Sequence, residues 1–149
     1  MSGKRVMAVA SSGGHWMQLR RLAAAFDGCE THYVTTEEGH REEVSGAFSV
    51  IRDANADDPV GCFILLWQSL WLALRERPDV LVTTGAAPGV FLLIFTRVLG
   101  AKTVWIDSIA NGQQLSLSGR LVRPFAGLWL TQWPELAGED GPEYAGAVF

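Results

Sequence analysis

Three short stretches carry residues whose type and spacing could do chemistry. The first is Ser11-Ser12-Gly13-Gly14-His15, placed between the apolar run Val6–Ala10 and the helically spaced Leu19, Leu22, Ala23 and Phe26. Glycines let the backbone turn tightly and approach a ligand, and free N–H groups at a helix start favour an anion. A purely structural strand-to-helix turn has the same pattern. The stretch is neither G-x-x-x-x-G-K-[ST] nor G-x-G-x-x-G, which counts against P-loop nucleotide hydrolysis and weakens a dinucleotide reading. Glu37 and Glu38 do fall roughly where a ribose-binding acid could stand. His15, at the first helical turn, could take a proton from an attacking hydroxyl or donate to a phosphate. Bonding to local backbone is its plainer alternative. His32 and His40 lack such a setting and read as ordinary.

The second stretch, Thr83-Thr84-Gly85-Ala86-Ala87-Pro88-Gly89, follows the buried run Val80-Leu81-Val82, with Pro88 suited to a first helical turn. Small side chains there leave room for a ligand or for close backbone packing. The third places Asp107 and Ser108 straight after Thr103–Ile106. A carboxylate at the carboxyl end of a strand could act as a base or hold a sugar hydroxyl, and either residue could instead cap a helix. A fourth feature is physical. From Pro59 to Leu74 no residue is charged, and Phe63, Trp67 and Trp71 lie within it. That stretch is shorter than the ~20 apolar residues needed to cross a bilayer. It is either buried on all sides or offers an apolar face to a membrane or partner.

The elements that must position these groups read as alternating strands and helices. Strands are expected at Val6–Ala10, Thr31–Thr35, Phe48–Ile51, Val80–Val82, Thr103–Ile106 and Leu128–Thr131, and the tail Tyr144–Phe149 reads as a last strand or an exit segment. Helices are expected over His15–Phe26, Val60–Arg75, Val90–Leu99 and Leu117–Phe125, with a polar, helical or irregular stretch over Glu37–Val44. Continuous apolar strands alternating with helices predict a doubly wound, Rossmann-like parallel sheet covered on both faces. With the order 3-2-1-4-5, the three chemical loops share one crevice at the carboxyl edge of the sheet.

Bulk properties bound the possibilities. The chain has 149 residues, one domain's worth, and 48% are hydrophobic, enough for a real core. The net charge of −4 leaves no basic excess for nucleic acid. Six tryptophans are a heavy load at this length, so an interface is expected. Cys29 and Cys62 form no CxxC and read as small buried residues in a reducing compartment. The basic start Met1-Ser2-Gly3-Lys4-Arg5 precedes too short an apolar run for a secretory signal, so a cytoplasmic protein is expected. No metal or cofactor site is expected.

Taken in order, Ser11–His15, Thr83–Gly89, Leu115-Ser116-Leu117-Ser118-Gly119-Arg120-Leu121, Gln132-Trp133-Pro134-Glu135-Leu136 and Gly146-Ala147-Val148-Phe149 resemble the bacterial PssD family of exopolysaccharide glycosyltransferase subunits. That family is similar to the acceptor-side subunit of the eukaryotic dolichyl-diphosphate N-acetylglucosamine transferase and to the N-terminal half of MurG. The resemblance spans essentially the whole chain. It implies a single acceptor-side domain over residues 1–149, half of a two-domain GT-B glycosyltransferase, with a separate donor-binding subunit supplying the other half. It implies transfer from a UDP-linked donor to a polyprenyl-diphosphate-linked saccharide, by a protein peripheral at the cytoplasmic membrane face.

Carried onto these residues, His15 would be the general base and Asp107 a second catalytic group. Ser11, Ser12, Gly13, Gly14, Gly85, Ala86, Ala87, Pro88, Gly89 and Ser108 would line the acceptor. Phe63, Trp67 and Trp71 would meet the membrane or a partner. Asp107 stands where the resemblance leads one to expect Glu, so the acid is kept with a shorter reach. The segment Ile109–Gln114 lacks the basic residue expected in relatives. The readings from other classes are a non-catalytic membrane adaptor that activates a partner, and a small nucleotide-binding reductase.

Overall fold

The computed structural model describes residues 3–148. Met1 and Ser2 of the basic start, and Phe149 of the last motif, lie outside the described residues. Among the described residues seven strands run β1 (Arg5–Ala10), β2 (Glu30–Thr35), β3 (Ala47–Val50), β4 (Val80–Gly85), β5 (Lys102–Ile106), β6 (Leu128–Thr131) and β7 (Glu143–Tyr144). They form one sheet in the order β3-β2-β1-β4-β5-β6-β7, and every neighbouring pair is parallel. Four α-helices cross between strands: α1 (Gly14–Arg21), α2 (Pro59–Glu76), α3 (Ala87–Val98) and α4 (Leu117–Val122). The expected Rossmann-like sheet is present, with its order reversing between β1 and β4.

Strand residues alternate between two cores, as a period of two requires. Met7, Val9, Val34, Leu81 and Trp105 pack with Leu65, Leu72, Leu92, Leu93 and Val122 of α2, α3 and α4. On the other face Val6, Ala8, Ala10, Tyr33, Val82 and Ile106 pack with Trp16 and Leu19 of α1. The first helix is shorter than its apolar periodicity suggests. Leu22 bonds back to the Leu19 carbonyl, tightening the last turn, and Ala23–Phe26 continues as a separate 3-10 helix. Glu38–Glu43 is likewise a 3-10 helix, and α4 ends at Val122 before a 3-10 turn over Arg123–Phe125.

The long helix α2 is well punctuated. The Asp58 carboxylate accepts from the Gly61 N–H at 2.9 Å, Pro59 occupies the first turn, and Arg77 ends the helix at φ 42° before Pro78.

A groove of about 520 Å³ lies where Arg5, Glu30, His32, Gly46 and Glu76 meet, away from the loops at the carboxyl ends of the strands. His32 sits beside it, its Nε2 2.7 Å from Ser49 Oγ and its Nδ1 3.5 Å from Glu76. Burial holds the His32 pKa below its ordinary value near 6.5, although Glu76 pulls it upward. The unfolded chain therefore takes up this proton at a higher pH than the folded chain. Stability contributed by neutral His32 is full above about 6.5 and is lost as pH falls toward the lower folded value. Thermal unfolding followed from neutral to mildly acidic pH should show that loss, and His32→Gln should flatten it. A wild-type midpoint that rises on acidification through this window would contradict the assignment.

Candidate active site

The register of β1 on β4 slips where chemistry is expected. Val9 faces Thr83, but Ala10 faces Gly85, so Thr84 is skipped. Its carbonyl instead accepts a hydrogen bond from His15 Nδ1 at 2.9 Å, and its hydroxyl donates to the His15 carbonyl at 2.6 Å. One threonine thus clasps both the ring and the backbone of the histidine. A carbonyl can only accept, so Nδ1 carries a proton, and in the neutral tautomer that fits this bond the lone pair lies on Nε2. That is the form a general base needs.

The small-residue loop after β4 makes the clasp possible. Gly85 has φ 132°, and a Cβ there would lie 2.8 Å from both Cε1 and Nδ1 of His15. Ala86 follows at φ 69°, ψ −179°, a region nearly reserved for glycine, as the N-cap of α3. Gly89 packs on Thr83, whose Oγ1 would be 2.2 Å from an added Cβ. Ala87 and Pro88 form the first turn of α3. Ser11 is buried, whereas Gly13 and Gly14 at the start of α1 are exposed. The loops at Ser11–His15 and Thr83–Gly89 therefore converge as expected, through direct contact between His15 and Thr84–Gly85.

Ser12 is tied outward to a group that the sequence reading passed over. Its Oγ lies 2.8 Å from His40 Nε2, and His40 Nδ1 lies 3.0 Å from Glu43 Oε2. Trp16 stacks on the His40 ring at 4.9 Å and donates its indole N–H to the same carboxylate oxygen at 2.6 Å. His40 is thus not an ordinary surface histidine. A histidine three residues before a glutamate, in a short polar stretch after a strand, was the only signal available.

The catalytic expectation for Asp107 does not match its placement. The residue is 2% exposed, and its oxygens accept from Trp105 Nε1 (3.0 Å), Ser116 Oγ (2.5 Å) and the Ser116 N–H (2.9 Å). With those bonds made, the carboxylate fastens the start of α4 to the end of β5. Ser116 in turn caps α4 by accepting from the Gly119 N–H at 2.9 Å. A Cβ on Gly119 would stand 2.7 Å from Asp107 Oδ1 and 2.9 Å from both Ser116 Oγ and Trp105 Nε1. Gly119→Ala should therefore lower stability by about 1–3 kcal/mol through overpacking, read as a shifted denaturant midpoint. An unchanged midpoint would show that the cluster yields without cost.

Ser108 is also turned inward rather than toward a ligand. It is 6% exposed, and its hydroxyl accepts from Gln18 Nε2 and the Ala110 N–H, each at 3.2 Å. Gln18 Oε1 accepts from the Ile109 N–H (3.1 Å) and Gln132 Nε2 (2.6 Å), while Gln132 Nε2 also donates to the Asp107 carbonyl at 2.9 Å. Gln18 is one turn along α1 from His15. This buried amide pair binds α1, the helix that carries His15, to the loops after β5 and β6. Sequence reasoning missed Gln18 because one glutamine in an amphipathic helix looks like a solvated residue.

On α2, Phe63, Trp67 and Trp71 are 63%, 55% and 59% exposed. Val60, Ile64 and Leu74 are exposed too, three or four residues from these neighbours, and complete one apolar stripe. Gly61, Leu65, Ser69, Leu72 and Ala73 form the buried face. Burial on all sides is thus excluded for this helix. Phe63 meets Trp67 edge to face at 6.2 Å, and the Arg75 guanidinium lies 5.0 Å above Trp71. No helix among the described residues is long and apolar enough to cross a membrane.

Together the sheet order, the small-residue loops and the placement of His15 define a Rossmann-like domain of the kind found as the N-terminal half of GT-B proteins. Solved structures agree in fold. Acinetobacter baumannii MurG superposes with a TM-score of 0.78 at 14% identity, over 97% of this chain and 46% of that one. Rickettsia bellii UDP-N-acetylglucosamine 2-epimerase gives 0.70 at 10% identity, over 97% and 45%. Residues 49–148 match the family model described as oligosaccharide biosynthesis protein Alg14 like, and the chain belongs to that family.

Curated relatives carry the name UDP-N-acetylglucosamine transferase subunit ALG14. The protein of Eremothecium gossypii is 41% identical over 71 residues, 44% of this chain and 32% of that protein. The Mus musculus protein is 26% identical across 89% of this chain and 76% of its own length. The chain thus spans less than half of the solved structures named above, and its matches cover from about a third to three quarters of these two relatives. These relatives are eukaryotic. The family match begins after the glycine loop and His15, and does not extend to those residues.

Proposed function

We propose that this chain is the acceptor-side subunit of a split GT-B glycosyltransferase, active with a separate donor-binding subunit. The observation that carries this reading is the His15 ring, clasped by Thr84 with Nε2 left for a substrate proton between two glycine-rich loops. In the proposed reaction Nε2 takes the proton of the acceptor hydroxyl as its oxygen attacks the anomeric carbon of the donor sugar. The bond from that carbon to the nucleoside diphosphate breaks, and the diphosphate leaves with the bonding pair. Ser11, Ser12, Gly13, Gly14 and the Gly85–Gly89 loop bind the acceptor, with N–H groups at the start of α1 facing its diphosphate. Asp107 and Ser108 serve as positioning residues beneath them.

The donor is a UDP-linked N-acetylhexosamine, as the names of the relatives suggest, and the acceptor is a polyprenyl-diphosphate-linked saccharide. The exposed stripe of α2 holds the protein at the cytoplasmic membrane surface. In this reading the chain is a PssD-type subunit for exopolysaccharide or glycolipid synthesis, and residues 1–149 form its one acceptor-side domain.

The test is reconstitution. The chain and its co-purifying donor-side subunit should together move label from UDP-N-acetylglucosamine to a polyprenyl-diphosphate-linked saccharide in vesicles, and neither should do so alone. Transfer by the donor-side subunit alone at the full rate would sink the reading. Full turnover by the pair when this chain carries His15→Ala would favour a membrane adaptor instead.

A further inference from the structure

We propose that His40, backed by Glu43, is a positioning residue that sets which hydrogen-bonding group Ser12 offers to the acceptor diphosphate. The inference rests on the acceptor-side reading above and assigns a part of that site lying outside its glycine loops. Ser12 stands immediately before Gly13, and its backbone N–H donates to Thr36 Oγ1 at 3.0 Å, just past β2. Its hydroxyl is then fixed by the His40 ring, the ring by Glu43, and both by Trp16.

The bond from Trp16 first, and then His40 and Arg20, hold the Glu43 carboxyl below its ordinary range, so it is ionised and can only accept. His40 Nδ1 therefore carries a proton. While His40 is neutral, its Nε2 must accept, and the single Ser12 proton goes to it. Ser12 then turns only lone pairs outward, which suits a sugar hydroxyl and opposes a phosphate oxygen. When His40 is protonated, Nε2–H donates to Ser12 Oγ, and the Ser12 O–H is released to donate to the phosphate. Binding of a diphosphate should thus draw one proton onto His40, and affinity should rise as pH falls. The charged groups facing this unit are Glu43 on the same 3-10 helix and Arg20 from α1, 3.8 Å from Glu43.

The probe is farnesyl diphosphate, titrated calorimetrically into the full chain at about pH 6 and about pH 8, in two buffers of different ionisation heat. Wild type should take up a proton on binding and bind about tenfold more tightly at the lower pH, the worth of one hydrogen bond to a charged group. Ser12→Ala and His40→Phe, which keeps a ring on Trp16, should each lose that difference, and the double variant should bind no more weakly than either. His40→Gln, with an amide N–H but no titration, should restore affinity and remain flat with pH.

Additive losses in the double variant, a pH slope that survives His40→Gln, or binding without proton uptake would each overturn the proposal. Proton-linked binding without sugar transfer by the reconstituted pair would sink the transferase reading alone. Transfer with proton-independent binding would sink this proposal alone.

Discussion

Replacing His15 by alanine should lower sugar transfer by the reconstituted pair by about 10²- to 10⁴-fold, the usual contribution of a positioned acid–base group. The size of that effect follows from how completely the ring is held. Nδ1 donates to a carbonyl that the β1–β4 register leaves unpaired, so rotamer and tautomer are fixed before substrate arrives. Acceptor affinity should change far less, because the removed interaction forms with a proton in flight. Gly85→Ala should repeat much of the loss while residue 15 stays a histidine, since the added methyl occupies the space of the ring and displaces it. Both variants should be assayed for kcat and for acceptor KM. A drop confined to KM would make His15 a binding residue and remove it as the base.

The second large effect concerns the membrane. Trp67→Glu with Trp71→Glu should abolish recovery with vesicles while leaving the unfolding midpoint nearly unchanged. Both rings already face solvent, so the fold loses little when they are replaced. Burying each ring in a lipid interface contributes roughly 2 kcal/mol. Removing the pair therefore shifts partitioning by about 10²–10³-fold, before any repulsion from the new charges. Val60, Phe63, Ile64 and Leu74 extend the same stripe and should give smaller graded losses. Vesicle sedimentation at fixed lipid concentration measures this directly. Unchanged sedimentation of the double variant would assign the stripe to a protein partner.

How much of this was legible beforehand differs between fold and site. Alternating runs such as Val6–Ala10 and Val80–Val82, each followed by a glycine turn, were enough to place the sheet and its order, because parallel strands buried on both faces admit few alternatives. Boundaries suffered where two helix types compete: nothing in the sequence separates α1 from the 3-10 turn at Ala23. His15 was visible because it adjoins glycines on a strand-to-helix turn. His40 and Gln18 were not, since each acts through a partner far along the chain, at Ser12 and Gln132. Asp107 was legible as a candidate, but its buried bonds to Ser116 were not. A carboxylate at a strand end reads alike whether it faces a substrate or a helix start, and only the position of Ser116 nine residues later decides.

The all-parallel sheet also bears on how the molecule comes into being. Among the described residues no two neighbouring strands are joined by a hairpin, and the pairing of β1 with β4 closes a loop of some seventy residues. Such topology folds slowly, because chain closure is spent before the contacts that reward it exist. During that interval the apolar strands are available to other chains, and the tryptophans of α2 remain so after folding. Production yield, rather than final stability, is then the quantity most sensitive to whatever covers that helix, and nascent chains should accumulate as aggregate when its cover is missing.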